Sequence, residues 1–142
     1  MEPNPEKLSC ISIIICDEVY RDEATKKLII VGTFNRMRTR RLPYKHRAMT
    51  VLFTLTNGHG KYELSLSIEH ERTGATIAKL GGPLEVGEPL MINDVSMTLE
   101  NLRFHEAGKY WVTLKADEKI IQQRPFVIEL LESNTSGGGQ HE

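Results

Sequence analysis

Long apolar runs are missing from this sequence. The best candidate, residues 8–16, holds Leu8, Cys10 and isoleucines at 11, 13, 14 and 15, but it ends after nine positions. A membrane-crossing helix needs about twenty. Glu2 and Glu6 stand in front of it where a secretion signal carries basic residues. No hydrophobic stretch precedes Leu8-Ser9-Cys10, so a lipoprotein cleavage box is not expected either. The expectation is a cytoplasmic protein with no membrane attachment. Cysteine is scarce as well, with only Cys10 and Cys16. On one extended run, at roughly 3.3 Å per residue, they would sit about 20 Å apart, beyond the reach of a disulfide. Buried thiols in a reducing compartment are expected.

Helical periodicity is also absent: no eleven-residue window places its apolar residues on one helical face. What the sequence has instead is alternation. Met49, Val51, Phe53 and Leu55 share one parity while Thr50, Thr54 and Thr56 take the other. Tyr62, Leu64, Leu66 and Ile68 alternate with Glu63, Ser65, Ser67 and Glu69. Each run is a strand with one face in a core. Asn57-Gly58-His59-Gly60 between them is a hairpin turn. Residues 8–16 and 27–37 read as two further strands with a polar connection between them. Thr73-Gly74 leads into a short strand at 75–80. Residues 81–89, with three glycines and two prolines, read as irregular loop, and 90–99 as another strand.

The closing hairpin spans residues 104–131. Tyr110, Val112, Leu114 and Ala116 face inward, Asp117 and Glu118 reverse the chain, and Phe126, Ile128 and Leu130 return. The turn lacks the favoured glycine, which leaves a longer or open turn as the alternative. The inward parity changes between Ile121 and Phe126, and one extra residue near Arg124-Pro125 would account for it. Glu106-Ala107-Gly108-x-Tyr110 has the form of a tyrosine corner. About eight strands at this spacing predict an all-β, immunoglobulin-like antiparallel β-sandwich at 8–132. Tails at 1–7 and 133–142 flank it, the second expected to be mobile.

One sign of charge is missing from a long stretch. Residues 24–62 carry nine Lys or Arg and no Asp or Glu, so this region holds +9 and the rest −10. The densest part includes Arg36, Arg38, Arg40, Arg41, Lys45 and Arg47, the candidate contact residues. If a strand persists through them, Arg36, Arg38 and Arg40 project from one face about 6–7 Å apart, the spacing of phosphates along a nucleic-acid strand. Tyr44 and His46 would then be placed to stack a ring. The plainer alternative is a solvated, edge-protecting set of charges paired with Glu63, Glu69 and Glu71.

Signatures of catalysis are lacking. The histidines at 46, 59, 70, 105 and 141 show no zinc spacing and no Cys-x-x-Cys accompanies them. There is no Gly-x-Ser-x-Gly elbow, and Gly81-Gly82-Pro83 lacks the Lys-Ser/Thr of a phosphate loop. Asp17-Glu18-x-x-x-Asp22-Glu23 is the one carboxylate cluster, without the spacing or glycine of an EF-hand.

Several short motifs together carry a likeness: Cys16-Asp17-x-Val19, Leu28-Ile29-x-Val31-Gly32-x-Phe34, Phe104-x-Glu106-x-Gly108-x-Tyr110 and Arg124-Pro125-Phe126-x-Ile128. They resemble a family of small bacterial β-sandwich domains of unknown function, over roughly residues 8–131. The resemblance implies the fold and a cytosolic bacterial setting, and supplies neither an activity nor site residues. The expected function is a non-enzymatic binding module without metal or cofactor. It would engage an acidic protein surface or a second copy of itself through the basic segment. Nucleic acid is the alternative, and a metal-dependent site or enzyme at the Asp17–Glu23 cluster a more distant one.

Overall fold

Alternating apolar and polar side chains favour extended chain over most of the sequence. In the computed structural model, which describes residues 7–132, that chain forms nine strands. They are β1 (Ser9–Arg21), β2 (Leu28–Thr33), β3 (Arg36–Thr39), β4 (Tyr44–Thr56), β5 (Gly60–His70), β6 (Thr76–Val86), β7 (Ile92–Phe104), β8 (Gly108–Ala116) and β9 (Lys119–Leu130). No helix of the described residues is long and apolar enough to cross a membrane. Apart from Lys7, the expected tails at 1–7 and 133–142 lie outside the described residues.

Two sheets face each other, in the orders β2-β1-β4-β7 and β3-β9-β8-β5-β6. Their inner faces are the alternating positions read above: Met49, Val51, Phe53 and Leu55 meet Leu64, Leu66, Ile68, Val112 and Leu114, all buried. The fold is an immunoglobulin-like β-sandwich, antiparallel except where β3 runs parallel to β9.

Four local expectations need correction. The strand expected at 27–37 is two strands, β2 and β3, which lie in different sheets with the crossing at Phe34 and Asn35. Met37 is buried after the crossing, whereas Ile29, Ile30 and Val31 before it are more than a third exposed. Residues 81–86 are not loop but the second half of β6, paired with β5 from Leu66↔Leu80 to Gly60↔Val86. An edge strand leaves one row of backbone groups unpaired, so Pro83 need not supply a hydrogen bond. A Cβ at Gly81 would lie 2.7 Å from the carbonyl oxygen of Leu64, so glycine permits the close pairing. The polar connection after residue 16 begins later than expected, because β1 continues to Arg21.

The extra residue in β9 is Ile121, since Leu114 pairs with Gln122 and Lys115 with Ile120. Arg124 and Pro125 sit in regular register beyond it, opposite Val112 and Trp111. Pro125 precedes the stretch of β9 that pairs with β3, which begins at Val127. The hairpin closes in two residues, with Asp117 at φ 50° and Glu118 at φ 73°. Glycine is dispensable there because Asp117 is anchored. Its backbone N–H donates to the Glu63 carbonyl and its carboxylate accepts from the Glu63 N–H, both at 2.9 Å.

Candidate functional site

The tyrosine corner is present as expected. The Tyr110 hydroxyl donates to the Glu106 carbonyl at 2.5 Å, and its ring lies 5.1 Å from Phe104 and 5.5 Å from Phe126. His70 completes it. Its Nδ1 accepts the backbone N–H groups of Arg72 and Thr73 at 3.2 and 3.1 Å. Its Nε2 therefore carries the proton and donates to the Ala107 carbonyl at 3.0 Å. A Cβ at Gly108 (φ 118°) would come within 3.2 Å of that nitrogen. This histidine ties the β5–β6 turn to the corner.

The carboxylate cluster disperses. Asp17 and Glu18 point to opposite faces of β1 as neighbours on a strand. Asp22 folds back onto its own loop and accepts from the Thr25 N–H and hydroxyl at 2.7 and 2.8 Å, which hold its carboxyl below the usual range. Among the described residues, no group of three or more His, Cys, Asp or Glu side chains converges for a metal. Cys10 and Cys16 are free, and burial pushes both thiols above their ordinary value, which disfavours the nucleophilic thiolate.

The six basic candidates separate. Arg36 and Arg38, alternate positions on β3, both reach one carboxylate, Glu129 on β9, at 3.5 and 3.3 Å. Their expected partners Glu63, Glu69 and Glu71 are not involved. Arg40 and Arg41 follow β3 in the connection to β4, before the cis Leu42–Pro43 peptide. Lys45 and Arg47 lie on β4, exposed and without an ion pair to any described residue.

Tyr44 and His46 are not placed to stack a ligand, because the chain turns them inward. β4 and β7 hold one register from Tyr44↔Phe104 to Thr56↔Ile92, yet their inward parity switches midway. Met49 and Leu99 face the core on one side of the switch, Leu102 and Phe104 on the other. The switch falls at Asn101, whose φ of 55° is left-handed, a conformation asparagine tolerates better than most residues. Beyond it Tyr44 stacks on Phe104, 6.2 Å apart at 22°, and its hydroxyl lies 3.0 Å from His46 Nδ1. His46 Nε2 is enclosed and meets no hydrogen-bond partner among the described residues. Burial pushes this imidazole below its ordinary pKa, and the charge of Asp17 offsets part of the shift.

Turning those rings inward turns Lys45 outward. It is the direct cross-strand partner of Arg103, a like-charge pair of the kind that destabilises a sheet. Lys45, Arg47, Arg103 and Asn101, with His46 and Leu102, line an open recess of about 410 Å³. Arg103 is the member that sequence reasoning missed. It lies far from the basic segment in the chain, and only the strand pairing brings it beside Lys45.

Residues 11–129 match DUF6941, a family of unknown function. The chain belongs to that family. No curated protein matches the sequence significantly. This DUF6941 domain is similar in structure to Pseudomonas fluorescens alkylpurine DNA glycosylase AlkC, solved bound to DNA containing an abasic site analog. The TM-score is 0.55 at 10% identity, covering 87% of this chain and 30% of that one. It is also similar to an immunoglobulin-like protein from Pseudomonas aeruginosa, with a TM-score of 0.45 at 11% identity over 89% of this chain and 100% of that one. At such identities the first likeness speaks for the fold alone. The DUF6941 domain spans under a third of the glycosylase.

Proposed function

We propose that this domain is a non-enzymatic binding module that engages an acidic protein surface through its uncompensated basic residues. The observation that carries the reading is the Lys45, Arg47 and Arg103 cluster, three cations around one recess with no carboxylate of the described residues paired to them. Arg36 and Arg38 share Glu129 and contribute less, so the contact surface is narrower at one end than the basic segment and wider at the other by Arg103. A reducing, cytoplasmic setting accords with two free, protonated thiols. Such a surface also permits pairing with an acidic surface of a second copy.

Titration with polyglutamate at low ionic strength tests the reading. Binding is expected to weaken steeply with salt and to fall at least tenfold in the Lys45→Glu/Arg47→Glu double variant, with Arg36→Gln close to wild type. Absence of binding at low salt, or an equal loss in both variants, would refute it. A nucleic-acid partner has less in its favour, because Tyr44 and His46 are committed to the core and unavailable for base stacking. Tighter retention of single-stranded DNA than of polyglutamate on a filter would reverse that preference.

A further inference from the structure

We propose that the recess at the bend of the β4–β7 ribbon is an oxyanion site that takes a phosphomonoester group. The inference rests on the reading of this surface as a binding surface and narrows it to one ligand chemistry. Lys45 and Arg103 are directly opposed across the ribbon, and Arg47 and Asn101 line the same recess. Cross-strand partners hold their Cβ atoms about 5 Å apart, so two like charges are brought together with no counter-ion from the described residues. Arg47 adds a third along the same strand. The Asn101 side chain supplies amide donors at the rim of the same recess.

The donor set selects among anions. A carboxylate carries one charge and two acceptor oxygens, which one arginine fork satisfies. A phosphomonoester carries close to two charges at neutral pH and three terminal oxygens. It can meet a fork from Arg47 or Arg103, the ammonium of Lys45 and an amide donor together. A volume of about 410 Å³ admits a phosphate with a short carrier, and the recess is open to solvent, so the carrier projects outward. Neighbouring carboxylates do not fill it: Glu100 opposes Ala48 and lines a separate depression with Asp17 and Glu18. A ligand phosphate would relieve the Lys45–Arg103 repulsion as it binds.

Calorimetric titration of the full chain at fixed ionic strength provides the test, with inorganic phosphate and pyrophosphate as probes and acetate as the carboxylate control. Phosphate and pyrophosphate should bind and acetate should not. Arg103→Gln should weaken phosphate binding about tenfold, the loss of one charge-assisted contact, while Arg36→Gln changes it less than twofold. A phosphoserine peptide and a mononucleotide form the second arm. Whichever binds more tightly than free phosphate identifies the carrier. The melting temperature of Arg103→Gln, expected at or above wild type, verifies that the variant is folded. Equal responses to phosphate and acetate, or equal losses in Arg103→Gln and Arg36→Gln, would overturn the site. If polyglutamate still binds while phosphate does not, this inference fails and the broader reading survives. If neither binds, both fail.

Discussion

At the scale of single residues, several polar groups that reach the interior are held by backbone rather than by opposite charge. Arg124 shows this most plainly. From an inward position on β9 it donates to the Ile13 carbonyl of the other sheet at 2.7 Å and to the Asn35 side chain at 2.6 Å, clamping the two sheets where the chain crosses between them. Arg124→Gln is expected to lower stability by about 2 kcal/mol, as charge-assisted hydrogen bonds are lost, read from urea midpoints. Tyr110→Phe should lower it by about 1 kcal/mol on the same assay by removing the bond to the Glu106 carbonyl. His46 makes stability depend on pH. Its folded pKa is depressed, mainly by burial, so below an unfolded value of about 6.5 the unfolded chain binds the extra proton. Stability is therefore full above about pH 7 and falls as pH drops through that value, levelling off below the folded pKa. Urea midpoints compared at pH 7.5 and 5.5 should show the fall in wild type and a smaller one in His46→Gln. Tyr110 was legible because a corner tyrosine leaves a local pattern. Arg124 was not, because its partners lie 111 and 89 positions away, and nothing local distinguishes an arginine clamping two sheets from one in solvent.

Among the elements, strands with a regular apolar alternation were readable, the edge strand β7 among them, whereas the edge strands β2, β3 and β6 were read only in part. β5, β8 and the 49–55 stretch of β4 alternate because burial on one side imposes a period of two, and their inward residues are the ones expected; Tyr44 and His46, at the other end of β4, are not. β2, β3 and β6 are edge strands, where one row of backbone groups needs no partner and the sequence is free to carry glycine, proline or arginine. That freedom made 81–86 resemble a loop and hid the break between β2 and β3. β6 offers a sharp contrast for testing. A Cβ at Gly81 would meet the Leu64 carbonyl at 2.7 Å, while one at Gly82 would meet nothing within 4 Å. Gly81→Val should therefore force β6 away from β5 and cost about 1–3 kcal/mol. Gly82→Val, one position on, should be neutral or slightly stabilising, since valine favours extended chain. Chemical denaturation of the two variants side by side separates the explanations: equal losses would mean that the close backbone approach is not what selects glycine.

For the molecule as a whole, the division into +9 over residues 24–62 and −10 elsewhere overstates what reaches the surface as separated charge. Glu129 lies outside that region in sequence and still draws in Arg36 and Arg38. Arg103 also lies outside it and adds to the positive end. Folding thus trims one side of the basic segment and extends the other, and a linear count of charges could do neither. The remaining concentration has a thermodynamic signature of its own. Exposed ion pairs such as Arg38–Glu129 contribute little, whereas opposed like charges destabilise and are screened by salt. Ligand-free Arg103→Gln should therefore be more stable than wild type at low salt, by up to about 1 kcal/mol. At roughly 1 M salt, where the screening length is about 3 Å, that advantage should largely vanish. Thermal melts of both proteins at the two salt concentrations measure it. A variant no more stable than wild type at low salt would mean that Lys45 and Arg103 do not oppose each other in solution, and the recess would lose the charge density that makes it an anion site.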